Sequence, residues 1–410
     1  MPSGSIPMRR IRPLSSDLNL PEPAALRPIW PNVVFSRLSP TRFEDVPEEP
    51  LPGPGWVRVR NRLCGICASD LHLLFVDVDP RVSPAALPGA ERLYLGHEIL
   101  GEVIEAGPDV TGLKVGDRVI LDSLEANCVV RKIEPPCRHC REGNHILCEN
   151  TSRGSGPEGT GGGWGDSFTA HQAGLYRVPD GLDDETAMLI EPLSVGVHTA
   201  LRRLPEANQK ALVVGSGMIG LAVIEAVRAL SPDCHLTAIA RYPQQVEMAR
   251  QLGADEVIGQ EDPYEAVARI TGGRLCSGTF NNRTLVGGFD VVYDCVGNGK
   301  TVRDSLRWTR AGGAVVLAGV YLKPMRVDLT PVWFQEVDLI GLLAHGTEQF
   351  NGRKLSTYEL TAELLLDNKL STDGFVTHRY PLERWREAVK TASDKKSGAI
   401  KVILDYRQGN

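Results

Sequence analysis

Three short stretches of this 410-residue chain carry side chains able to hold a metal ion. The first is Leu63-Cys64-Gly65-Ile66-Cys67-Ala68-Ser69-Asp70-Leu71-His72. The second is Gly96-His97-Glu98, and the third is Glu191-Pro192-Leu193-Ser194-Val195. Thiolate, imidazole and carboxylate are all zinc donors. Taken singly, each stretch has an ordinary explanation. A His beside a Glu is more often a structural pair than a ligand set, and Cys64-x-x-Cys67 alone could be a redox pair. A fourth stretch spaces Cys137, Cys140 and Cys148 as Cys-x2-Cys-x7-Cys, with Cys128 nine residues before Cys137. Six of the nine cysteines lie from Cys64 to Cys148. In a chain of this size that crowding reads as metal chemistry rather than a disulfide framework.

A different chemistry is written in Val213-Val214-Gly215-Ser216-Gly217-Met218-Ile219-Gly220. Gly-x-Gly-x-x-Gly is weak by itself, but here it follows a strand pattern and opens a helix pattern at Met218 and Ile219. Gly215 makes the tight turn, Gly217 lets backbone approach a pyrophosphate, and Gly220 allows close helix–strand packing. The helix N-terminus favours the phosphate charge. The next strand ends Ala238-Ile239-Ala240-Arg241. An NAD site usually has an acid at the position of Ala240 to hold the ribose 2′-hydroxyl. Arg241 instead suits a 2′-phosphate, which favours NADP over NAD. The alternative is a solvated or adenine-stacked Arg241 in an NAD enzyme.

These residues need two kinds of scaffold. Trp56–Arg60, Ile99–Ala106 and Asp117–Leu121 read as short strands between Gly/Pro turns, so the first part is β-rich. Residues 151–166 are Gly/Ser-rich and read either as a flexible connector or as a loop over a site with Trp164 as a wall. Beyond residue 195, strands at Lys210–Val214, Cys234–Ala240, Phe289–Asp294 and Ala314–Ala318 alternate with helices, including Pro243–Leu252 and Arg303–Arg310. That alternation implies right-handed βαβ units and a parallel sheet. The composition is 42% hydrophobic and 23% charged, ordinary for a globular chain. A formal charge of −6 carries no nucleic-acid footprint. No apolar run reaches the roughly 18 residues that a spanning helix needs. The Pro-rich leader lacks the apolar core of a secretory signal, so a cytoplasmic protein without membrane attachment is expected.

Together and in this order, the motifs resemble the zinc-dependent medium-chain alcohol dehydrogenase family, closest to its polyol, threonine and glucose dehydrogenase branch. The resemblance runs from Trp56 to Lys396-Ser397-Gly398-Ala399-Ile400-Lys401-Val402. It implies a GroES-like catalytic domain (1–192 and 344–410) with an inserted Rossmann domain (193–343). It places a catalytic zinc on Cys67, His97 and Glu191, leaving Cys64 out. Glu191 stands where the classical members have a second cysteine. One thiolate and one carboxylate neutralise Zn²⁺, and the metal acts as a Lewis acid toward an alcohol or carbonyl oxygen. Glu98 is then a neighbour behind the metal or a transient fourth ligand. Asp70 fixes the tautomer of His97. Ser69 contacts the substrate oxygen and begins a proton relay toward His72, unless both merely cap a helix. A structural zinc lobe over 128–148 would use Cys137, Cys140, Cys148 and either Cys128 or Glu134, with Cys128 preferred. Two zincs per chain and a homodimer or homotetramer follow, with Val337–Leu343 as the associating edge.

The resulting expectation is an enzyme that moves a hydride between an alcohol and a nicotinamide. Two rivals are a non-catalytic cofactor-binding member of the fold and a zinc-independent double-bond reductase. Sugar, polyol, β-hydroxy amino acid and plain alcohol all stay open as substrates, because Phe75–Leu87 is atypical and leaves the pocket walls (Leu73–Phe75, Trp164) without a template.

Overall fold

In the computed structural model, the described residues are 8–12, 31–35, 41–46, 48, 50–75, 77–79, 81–82, 94–122, 127–151 and 161–407. Most of the leader, residues 83–87 of the atypical segment, and residues 152–160 of the Gly/Ser loop lie outside them. The chain forms two compact units, Met1–Glu191 with Val376–Asn410, and Pro192–Phe375.

The first unit opens with β1 (Met8–Arg12) antiparallel to β2 (Arg42–Val46). It continues with β3 (Trp56–Gly65), α1 (Ala68–Leu74), β4 (Glu98–Ala106) and β5 (Arg118–Leu121). Then come α2 (Arg138–Arg141), β6 (Ser167–His171), β7 (Leu175–Arg177) and α3 (Asp184–Arg202). β3 is the central strand, pairing with β4 and β6. It is buried almost throughout instead of alternating, which requires cover on both of its faces. Arg58 on it is 3% exposed and is met by Glu48 at 2.7 Å and Glu105 at 2.9 Å.

The second unit contains β8 (Lys210–Val214), α4 (Met218–Leu230), β9 (His235–Ile239), α5 (Pro243–Gln251), β10 (Glu256–Ile258) and α6 (Pro263–Thr271). A small antiparallel ribbon follows, β11 (Arg274–Ser277) and β12 (Arg283–Val286). Then come β13 (Phe289–Asp294), α7 (Gly299–Trp308), β14 (Thr309–Leu317), α8 (Thr330–Phe334) and β15 (Asp338–Gly341). A hairpin, β16 (Thr347–Phe350) and β17 (Arg353–Ser356), leads into α9 (Thr357–Leu366). The main sheet is parallel, in the order β10-β9-β8-β13-β14-β15. Strand order reverses between β8 and β13, the topological switch point of a Rossmann sheet.

The chain then returns to the first unit through β18 (Val376–Tyr380), α10 (Trp385–Ser393) and β19 (Lys401–Asp405). β19 lies antiparallel to β3, completing the order β18-β19-β3-β4-β5-β7. The core of this unit joins Val57, Val59, Ile99, Val103, Phe168 and Trp385.

The first crossing falls between Glu191 and Pro192, one residue from the expected boundary. The second falls after Phe375 rather than after 343. The β16–β17 hairpin and α9 account for the difference, since they belong to the second unit. The ribbon β11–β12 and the helix α3, which runs through Pro192, were not anticipated. Proline lacks the amide that closes onto the carbonyl four residues back, so the sequence pattern there reads as a break. Among the described residues, no helix is long and apolar enough to cross a membrane.

Candidate metal centres and dinucleotide site

At the end of β3 the chain turns through Ile66 and Cys67 into α1, and Asp70 in its first turn ties the site together. Asp70 Oδ2 accepts the amide of Cys67 at 3.0 Å, and Oδ1 accepts that of Gly96 at 2.9 Å. Oδ1 also lies 3.5 Å from His97 Nδ1. One buried carboxylate thus fixes the Cys67 stretch against the His97 stretch and holds the imidazole ring by its Nδ1 side. Gly96 has φ +84°, and a Cβ there would lie 2.5 Å from Trp164 Cδ1 and 2.8 Å from Cys64 Sγ. Only glycine permits this approach.

The ligand atoms of Cys67, His97 and Glu98 all lie within 4.8 Å of one another. Glu98 is held from behind by Lys401, whose Nζ stands 2.6 Å from Oε1 and 2.5 Å from Oε2. Both side chains are almost fully buried. Burial works against the ammonium, but Glu98 and Cys67 outweigh it and raise its pKa. Glu191 is 7% exposed and lies outside the 4.8 Å cluster. Burial pushes its carboxyl up to about 7, with His97 pulling it down and Glu98 pushing it further up. Burial opposes a charged His97, yet Asp70 and then Cys67 hold its pKa well above the ordinary imidazole value. Burial lifts Asp70, but His97 and the two backbone amides bring it below its usual range.

The raised His97 and Lys401 share one cause, the negative donors crowded around them, whereas the raised Glu191 owes most to burial. Thiol, imidazole and carboxylates converging in such a field make a donor set that fits zinc. Cys64 belongs to the core instead. It is fully buried, and burial followed by the charges of Asp70 and Glu98 pushes its thiol well up, so it stays protonated.

Ser69 Oγ lies 3.4 Å from His97 Nε2, whereas His72 turns its Nδ1 to Asp77 Oδ2 at 3.3 Å. Neither residue is the helix cap; Cys67 is. Trp164, read as a loop wall, is 1% exposed and packs 6.5 Å from Trp385 inside the core. Leu73 and Phe75 are half-buried against that core, and Phe75 meets Phe35 edge-on at 6.3 Å. Sequence reasoning gave no role to Lys401, although a lysine opening the apolar run Val402-Ile403-Leu404 is the available signal.

The second sulfur cluster brings together Cys128, Cys137, Cys140 and Cys148, whose Sγ atoms also lie within 4.8 Å of one another. Cys128 and Cys148 are 3.6 Å apart. Four thiolates around one zinc, with Zn–S near 2.3 Å, sit about 3.8 Å from each other, so this donor set fits zinc as well. Asn150 Nδ2 donates to Cys128 Sγ at 3.1 Å, and the amide of Cys137 does so at 3.4 Å. The amide of Cys140 leads the effects that bring the Cys137 thiol down to about 6. Glu134, the alternative fourth donor, is exposed and outside this cluster.

In the second unit, Gly215 has φ +92° at the end of β8. A Cβ on Gly220 would lie 1.8 Å from the Gly215 carbonyl oxygen, so that position must be glycine. A Cβ on Gly217 would meet nothing within 4 Å. Gly217 caps the thirteen-residue α4, and Met218 and Ile219 begin it, half-buried. Open space before a helix N-terminus fits a pyrophosphate. Ser216 donates to the Ile239 carbonyl at 3.1 Å, binding this loop to the end of β9. Ala240 is buried there and Arg241 is exposed.

Two family models match, the alcohol dehydrogenase GroES-like domain over residues 53–180 and the zinc-binding dehydrogenase over residues 219–356. The chain is 32% identical to an L-idonate 5-dehydrogenase of Vitis vinifera, over 87% of this chain and 89% of that protein. It is also 32% identical to a sorbitol dehydrogenase of Arabidopsis thaliana, over 87% and 90%. The crystal structure of 2R,3R-butanediol dehydrogenase from Bacillus subtilis shares the fold, with a TM-score of 0.70 at 24% identity over 97% of this chain and 99% of that one. The chain belongs to the zinc-dependent medium-chain alcohol dehydrogenase family.

Proposed function

We propose that the protein is a polyol-type dehydrogenase, exchanging a hydride between a secondary hydroxyl and the nicotinamide of NADP in preference to NAD. The observation that carries this reading is the convergence of Cys67, His97 and Glu98 around the Asp70 clamp, in a chain that also holds a dinucleotide loop. Cys67, His97 and Glu191 would hold the catalytic zinc. Glu98 is already engaged through both oxygens by Lys401, which leaves Glu191 as the carboxylate for the metal. When bound, zinc supplies Lewis-acid polarisation of the substrate oxygen. The chain's own residues do the rest. Asp70 keeps the proton of His97 on Nδ1. Ser69, whose Oγ lies 3.4 Å from His97 Nε2, would accept the hydroxyl proton while passing its own on, with His72 and Asp77 as the receiving pair. Cys128, Cys137, Cys140 and Cys148 would hold a second, structural zinc.

The polyol class comes from the idonate and sorbitol dehydrogenases that the chain resembles. NADP is supported by the missing acid at Ala240 and by exposed Arg241 beside it. A homodimer is supported by β15, the last strand of its sheet, and by exposed Leu329, Trp333, Phe334, Leu339 and Leu343 around it. The test is an oxidation screen of polyols, sugars, β-hydroxy amino acids and simple alcohols with each cofactor. Polyol turnover that Arg241→Ala lowers with NADP⁺ far more than with NAD⁺ is expected. No turnover of any alcohol by the zinc-loaded protein would overturn the reading, and equal effects of Arg241→Ala would remove NADP from it.

A further inference from the structure

The parallel sheet divides its carboxyl edge into two halves at the switch point between β8 and β13. A dinucleotide whose phosphates sit at Gly215–Gly217 lays one ribose toward Ala240 and Arg241, at the end of β9. The nicotinamide half must then lie over the ends of β13, β14 and β15. The segment leaving β15, residues 342–346, is part of that rim. This five-residue connection turns through Ala344, left-handed at φ +46°, and runs straight on into the β16–β17 hairpin.

A buried polar chain holds this segment. Thr357, at the start of α9, donates its amide to the Gly346 carbonyl at 2.9 Å, and its hydroxyl accepts the Gly346 amide at 2.9 Å. The same hydroxyl lies 2.7 Å from Glu348 Oε1 and 3.0 Å from the Gly346 oxygen, so its single proton serves one of them at a time. Glu348 Oε1 also takes His198 Nδ1 at 2.6 Å. One turn earlier on the same helix, Ser194 donates to Thr361 at 2.9 Å, and Thr361 donates to the Thr357 carbonyl at 2.8 Å. Ser194, Thr357 and Thr361 are fully buried, and Glu348 is 8% exposed. The His345 ring lies 4.5 Å from that of Tyr358. Buried polar contacts of this kind add little net stability, but they hold groups in one geometry.

We propose that His198, Glu348 and Thr357 form a latch that positions residues 342–346 as a wall of the nicotinamide half-site. They are positioning residues and touch no reacting atom. The inference rests on the nicotinamide-dependent reading above. The test is fluorescence titration of the zinc-loaded protein with NADPH, and with 2′-phospho-ADP-ribose as a probe that lacks nicotinamide. Glu348→Ala is expected to weaken NADPH at least tenfold while the shorter probe binds within twofold of wild type. Equal losses for both probes, or none for either, would overturn the latch. If Glu348→Ala does not fold, Thr357→Val is compared with Thr357→Ser. Loss of NADPH alone in Thr357→Val, rescued by Thr357→Ser, supports the proposal, and any other pattern overturns it. A wild-type chain that binds NADH and ADP-ribose instead is read with those two probes and the same criteria. A wild-type chain that binds no dinucleotide removes the underlying reading and the latch with it.

Discussion

In the lobe around Cys128, four thiols from one short stretch face one another, backed by amides and by Asn150. Around Cys67 the converging groups come from the ends of separate elements, and two of them are gripped by a further charged group: Asp70 on His97, Lys401 on Glu98. The first arrangement closes all four coordination positions with like ligands, as a stabilising site does. The second leaves part of the His97 side chain, 35% of it, open and surrounds the donors with buried charge. A site that must exchange a ligand cannot be sealed by its own donors. Its geometry has to come from partners behind them, and those partners are what substitutions should expose.

The largest effect is expected at Lys401. Replacing it by Met leaves Glu98 buried without a cation, a change that costs about 3–5 kcal/mol. Denaturant unfolding should show this, and Lys401→Met with Glu98→Gln together should recover most of it. A double variant no better than the sum of the singles would mean that the two groups do not act as a pair.

Glu225 sharpens the contrast, because it is a buried carboxyl with no cation paired to it among the described residues. Its Oε1 accepts the Ser371 amide, at 2.5 Å, and burial pushes it up to about 7, from 4.5, with Asp373 adding to the rise. Between pH 4.5 and 7 the unfolded chain has released this proton and the folded chain keeps it. Its contribution to stability is therefore present at low pH and is lost as pH rises through about 7. Glu225→Gln should remove that slope and gain up to about 3 kcal/mol at pH 8. An unchanged difference between pH 5 and pH 8 would show that the carboxyl is not held neutral.

The smallest difference is expected in zinc retention, where the two acids Glu98 and Glu191 separate. Glu98→Gln should weaken zinc retention about 10–100-fold, as expected for a group behind the ligands. Glu191→Gln should weaken it more and abolish turnover. The reverse order in chelator competition would move the ligand role to Glu98.

Much of this was legible beforehand for a physical reason. The strands Lys210–Val214 and Phe289–Asp294 are short apolar runs bounded by turns, and the structure ends both where that pattern ends. Gly215 and Gly220 announce their roles because a Cβ at either could not fit. What was illegible depends on distant partners. Lys401 and Glu98 are 303 residues apart, and His198 and Glu348 are 150 apart, so no local pattern joins them. Trp164 sits in a Gly-rich stretch that reads as a surface loop, yet its ring is swallowed by the core. The second compact unit runs on to Phe375, past 343, because the hairpin after β15 is tied back by side chains far away in sequence.

The most direct measurement is zinc content per chain in wild type, Cys67→Ala and Cys140→Ala, read beside turnover. Two zincs in wild type are expected. Cys67→Ala should keep one zinc and its fold while losing turnover, and Cys140→Ala should keep one zinc and lose stability first. A single zinc in wild type, or full turnover in Cys67→Ala, would contradict the division of labour between the two sites.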